Sequence, residues 1–159
     1  MTDARAGRPQ DLTQLLTRAE RLLSRRLTTI LDVEGHSLDA WRVISLLSDG
    51  AGHHMTEIAE HAFLPPATLT KLVDHLVEDN LVYRRGDEID RRRVRAHLTP
   101  RGRRLHQRIS QQIDASTSTL AIAAGERELL QELLTSLLDA LDDPAATANQ
   151  QRRQRLGTA

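Results

Sequence analysis

Residues 81–102, LVYRRGDEIDRRRVRAHLTPRG, decide the fold. Val94, Ala96 and Leu98 alternate with Arg93, Arg95 and His97, the period of two that belongs to a strand with one apolar face. Leu81, Val82 and Tyr83 supply a partner strand, and Gly86-Asp87-Glu88 supply turn chemistry between the two. Thr99 then reads as a helix N-cap with Pro100 at the first helical position, where the missing proline N–H costs nothing. The segment is thus a β-hairpin running into a helix, and it carries seven arginines. A basic hairpin tip on an otherwise neutral chain suits a polyanion as partner, and nucleic acid is the first candidate.

The 159-residue chain has a formal net charge of zero, which by itself argues against a nucleic-acid partner. The distribution argues the other way. Residues 84–108 hold ten arginines against Asp87, Glu88 and Asp90, a local excess of seven positive charges. Residues 109–143 hold one arginine against seven acids, an excess of six negative charges. One surface should attract DNA while another repels it, which orients docking. With Trp41, Tyr83 and Phe63 the only aromatics, the core must be built from Leu, Ile, Val and Ala. The lack of cysteine excludes disulfides, thiolate metal sites and thiol redox sensing. No signal-type apolar run and no long uncharged stretch occur, so the expected location is the cytoplasm, without membrane contact.

Upstream of the hairpin, residues 1–10 are polar and read as a mobile arm. From an N-cap at Asp11, leucines at helical spacing mark a helix to about Leu31, followed by a polar break over Asp32–His36. Ser37 caps a second helix with Leu38, Trp41, Val43, Ile44 and Leu47 on its apolar stripe, closed at Gly50-Ala51-Gly52. A short helix over Thr56–Ala62, a turn at Phe63-Leu64-Pro65 and a helix from Pro66 to Asp79 make a helix-turn-helix. Asn80 can adopt the left-handed conformation that ends it. Downstream, a long helix carries Leu105, Ile109, Ile113 and Leu120, and a last helix from about Glu126 to Pro144 is doubly lined with leucine. The tail beyond residue 144 has a disordered composition. The expected architecture is mainly α: a winged helix-turn-helix domain over 37–100 with a two- or three-stranded β-wing. Dimerisation helices flank it at 11–36 and 101–143.

On the 66–79 helix, Leu69, Leu72, Val73 and Leu76 should face inward. That leaves Thr68, Thr70, Lys71 and His75 for base edges and phosphates of a major groove, beside Asp74. With this order of elements the chain resembles the MarR family of bacterial transcriptional regulators. The similarity is carried by Trp41-Arg42-Val43, Met55–Ala59, Thr68–Leu76 and the run from Asp90-Arg91-Arg92 to Gly102, and spans residues 11–143. Where the family often has glycine this chain has Asn80, and Pro65-Pro66 stand where it often has serine. The resemblance implies a homodimeric repressor that binds a palindromic site on double-stranded DNA. It further implies that Arg92 enters the minor groove with Asp90 orienting it. Inserted arginine suits a narrow, electronegative A·T groove, and a nearby carboxylate can fix a guanidinium through forked hydrogen bonds. Arg91 adds general attraction, and Arg84 and Arg85 are candidates for phosphate contacts or for buttressing Asp90.

The resemblance also implies release of DNA by a small aromatic or anionic ligand. Arg18, Arg21 and Arg42 could pair with its carboxylate, Trp41 could stack on its ring, and His36 lies in the adjoining loop. A zinc-responsive alternative would use Glu34, His36 and His106, although their spacing is not that of a metal motif. A third alternative is a winged helix that binds protein instead of DNA. No cofactor is expected, and no nucleophile elbow, phosphate loop or paired-histidine zinc motif supports an enzyme.

Overall fold

The computed structural model describes residues 11–86 and 94–142. The chain divides into two compact units, Met1–Thr117 and Ser118–Ala159. The expected arm at 1–10 and the tail beyond 144 lie outside the described residues. Helix α1 (Leu12–Glu34) opens where Asp11 Oδ1 accepts the Thr13 N–H at 3.3 Å. It runs three residues past its expected end at Leu31. Gly35 takes the left-handed conformation (φ 75°) that closes the helix, and beyond local pattern Glu34 bonds to Arg108 and Gln112. The break is thereby confined to Gly35, His36 and Ser37.

Ser37 accepts the Ala40 N–H at 3.1 Å and starts α2 (Leu38–Leu46), which ends in a 3-10 turn over Leu47–Asp49 and a left-handed Gly50. Strand β1 (His53–His54) leads directly into α3 (Met55–Ala62). After the turn at 63–65 comes α4 (Pro66–Glu78), and Asn80 is left-handed (φ 56°), as its residue type suggested. Strands β2 (Val82–Gly86) and β3 (Val94–Leu98) follow, then α5 (Pro100–Ser118). The sheet is antiparallel in the order β1-β3-β2, with His53 opposite Ala96 and Val82 opposite Leu98. Gly86 still pairs with Val94 instead of opening the turn, so β2 is longer than its apolar start indicated.

Leu31, Ile44, Leu47, Ile58, Leu69, Leu76, Val82, Ala96 and Ile109 are fully buried in one core. Each such leucine or isoleucine contributes about 1.5–3 kcal/mol of transfer free energy. The junction of α4, β2 and α5 is fixed by a small polar knot. Thr99 Oγ1 donates to the Asn80 carbonyl at 2.7 Å and accepts the Gly102 N–H at 3.0 Å, while the Thr99 N–H reaches the Leu81 carbonyl at 3.0 Å. A Cβ on Gly102 would collide with that Leu81 carbonyl, so the Thr-Pro-x-Gly run is a packing requirement as well as a cap.

In the second unit, α6 (Ala124–Asp142) carries no buried residue. Leu129, Leu130, Leu133, Leu134, Leu138 and Leu141 are all exposed on it. Leu120 falls in the connection and not in α5, contrary to expectation, because that helix stops at Ser118. Among the described residues no helix is long and apolar enough to cross a membrane.

Candidate nucleic-acid interface

Helix α4 presents an outward face of Ala67, Thr68, Thr70, Lys71, Asp74 and His75, all exposed, while Leu69, Val73 and Leu76 are buried beneath it. Pro66 at the first position sets the helical φ without sacrificing a hydrogen bond. The Thr70 hydroxyl donates to the Pro66 carbonyl at 2.9 Å. Its single hydrogen is therefore committed, and in this rotamer Thr70 offers an acceptor and a methyl group. Among the described residues Lys71 has no ion-pair partner, leaving its ammonium available to an anion or a guanine edge. His75 lies 3.6 Å from Glu78 and 3.8 Å from Asp79, toward the helix end.

The structure adds a contact that the sequence did not reveal. Arg84 of β2 donates to Asp74 of α4 at 2.6 Å, joining the base of the wing to the recognition helix and neutralising the acid between Lys71 and His75 on its outward face. Asp74 and Arg84 are ten residues apart in different element types, so no periodicity brings them together. Arg85 stands opposite Arg95 across the β2–β3 ladder, and Arg95 donates to the Gly52 carbonyl at 3.1 Å. His97 stacks on Tyr83 with centroids 5.2 Å apart. Burial, followed by the fields of Arg85, Arg95 and His53, holds its pKa below the ordinary value. A Cβ on left-handed Gly52 would run into the His97 ring, which fixes that loop against the sheet. Asp90, Arg91 and Arg92 lie outside the described residues, as does Arg93.

Strand β1 was also absent from the sequence reading, being two histidines long. His53 Nε2 lies 2.7 Å from Asp49, and Glu57 accepts the His54 N–H at 2.9 Å, so the strand and the first turn of α3 are pinned together. In the turn after α3, Phe63 takes a left-handed conformation (φ 55°) and is 89 % exposed.

The candidate ligand residues occupy separate places. Arg18 and Arg21 line an open groove of about 400 Å³ along α1 with Leu22 and Arg25. Trp41 stacks on His106 of α5, centroids 5.1 Å apart and planes 11° from parallel. Arg42 pairs with Asp39 of its own helix at 3.0 Å. His36 and Glu34 line a polar cavity of about 560 Å³ with Arg101, Arg104 and Arg108. The Arg108 and Gln112 hydrogen bonds hold the Glu34 carboxyl below the usual carboxylate pKa, and burial lowers that of His106. Among the described residues no three His, Asp or Glu side chains converge to hold a metal ion, so Glu34, His36 and His106 are not brought together as a site.

A helix-turn-helix with an exposed polar recognition face, tied to a basic antiparallel wing, defines a winged-helix DNA-binding protein. Its order of elements resembles that of one family. The MarR family profile matches residues 31–93. The HTH-type transcriptional regulator FarR of Neisseria gonorrhoeae is 27% identical over 124 residues, covering 77% of this chain and 85% of that protein. The structure of NadR in complex with 4-hydroxyphenylacetate superposes with a TM-score of 0.72 at 24% identity, covering 86% and 96% of the two chains. A MarR family protein of Mycobacterium tuberculosis in complex with salicylic acid gives 0.67 at 25% identity, covering 80% and 96%. By this profile and these relatives the chain is similar to the MarR family of transcriptional regulators, and it shares their winged-helix fold.

Proposed function

We propose that the protein is a homodimeric repressor that binds a palindromic operator. The face of α4 lies in the major groove and wing residue Arg92 in the minor groove. The observation that carries this reading is the pairing of an exposed α4 face with a wing anchored to it through Arg84 and Asp74. Thr68, Thr70 and Lys71 meet bases and phosphates, and two-fold symmetry sets the two recognition helices about 34–36 Å apart. Exposed leucines on α6 and in the first half of α1, among them Leu12, Leu15, Leu22 and Leu23, supply the apolar surface for pairing. Most of an obligate interface is apolar surface of this kind.

A small aromatic acid releases the DNA. This step is supported by the ligands named for the NadR and M. tuberculosis structures and by the open groove bearing Arg18 and Arg21. Guanidinium groups recognise a carboxylate through paired hydrogen bonds. The test uses a duplex selected by the full chain from a randomised pool. Affinity should fall by a factor on the order of 10³ between 50 and 200 mM salt, and steeply again in Arg92→Ala. Salicylate should raise the apparent Kd of the parent chain and leave that of Arg21→Ala unmoved. Failure to select any duplex, with insensitivity to salt, would move the winged helix to the protein-binding alternative.

A further inference from the structure

We infer that Phe63 is a DNA-contacting residue whose strained backbone trades stability for an apolar contact at the lip of the major groove. The inference rests on the reading that α4 enters that groove.

Two independent observations single this residue out. Phe63 is left-handed at φ 55°, a conformation that costs a bulky L-residue and that glycine adopts freely. The ring gains nothing in return from the fold, since the chain's one phenylalanine is 89 % exposed. In a chain with three aromatics, an unburied ring on a strained backbone is a poor choice for folding. Strain of this kind persists at functional positions where the surroundings enforce it. The enforcement is visible here: the Phe63 N–H bonds to the Glu60 carbonyl at 3.2 Å and the Leu64 N–H to Ala59 at 3.0 Å, closing α3.

The location identifies what the ring meets. Phe63 is three residues before Pro66, so its Cα lies within roughly 10 Å of the first residue of α4. The major groove is about 12 Å wide. A residue that close to the inserted helix end stands at the groove wall, where deoxyribose carbons and thymine methyl groups are the apolar surfaces on offer. Between Phe63 and Lys71 only Leu64 and Leu69 turn inward, so the ring continues the exposed surface that begins the recognition helix. Phenylalanine against a thymine methyl is an established mode of base contact.

The experiment compares Phe63→Gly and Phe63→Ala with the parent full chain on the selected duplex. Both variants should bind about five- to tenfold more weakly, the loss expected for a partly buried ring. The slope of log affinity against log salt should not change, because an apolar contact releases no counterions. Phe63→Gly should also melt a few degrees above Phe63→Ala, since glycine alone relieves the left-handed strain. Replacing half-site thymines with deoxyuridine separates the two apolar surfaces. A parent that loses the same factor assigns the methyl, and one that loses nothing assigns the sugar. Variants that bind within twofold of the parent would overturn the inference while leaving DNA binding intact. A parent chain that selects no duplex would overturn both.

Discussion

The winged lobe and the terminal helices solve the same problem differently. From α2 to the first half of α5, the apolar stripes end in one core in which Ile44, Ile58, Val73 and Ile109 have no exposed surface. On α6, leucines at matching spacing stay in solvent, Leu133 by 60 % and Leu141 by 66 %. Composition does not separate these regions, since both are leucine-rich and helical. What separates them is whether one chain supplies a complementary surface. The lobe does so through a sheet and four helices, whereas α6 has no buried residue at all. An apolar face of that extent on one helix marks an interaction surface.

The comparison can be broken by mutation. The largest effect is expected from Leu130→Asp combined with Leu134→Asp. If the α6 face joins two chains, the variant should become monomeric, keep the lobe's melting transition, and lose about 10²–10⁴ in operator affinity through the lost second half-site. A melt that collapses with the mass unchanged would show instead that α6 closes on its own chain. Next in size, Gly102→Ala attacks the lobe where a Cβ would strike the Leu81 carbonyl. It should cost about 1–3 kcal/mol in urea unfolding and more than any single alanine substitution of an exposed α6 leucine.

The smallest effect is on pH. His97 and His106 both have pKa values lowered from 6.5, chiefly by burial, so the unfolded chain binds their protons first as pH falls. Stability should be fully present above pH 6.5 and should decline as pH drops from there toward the lowered native values. His106→Gln should flatten that decline in urea midpoints measured from pH 7.5 to 5.5, and no flattening would remove His106 as a contributor.

Much of the lobe was legible because its signals are local. Asp11, Ser37 and Thr99 cap helices through bonds two to three residues away, and Asn80 takes its left-handed turn without a distant partner. The α4 face followed from the spacing of Leu69, Val73 and Leu76 alone. The features that escaped depend on distant chain. Glu34 extends α1 because Arg108 and Gln112, more than seventy residues later, bond to it. Trp41 meets His106, and Arg84 meets Asp74, across element boundaries that carry no period. Strand β1 is too short to alternate and is a strand only because β3 pairs with it. Phe63 was read as part of a turn, and its exposure shows only once the neighbouring helices are in place.

The most direct test of the contrast between a finished lobe and unfinished helices is the molar mass of the full chain by light scattering at micromolar concentration. The account predicts twice the 17.8 kDa of one chain. A mass of 17.8 kDa would contradict it, leaving the leucines of α6 without the partner their exposure requires.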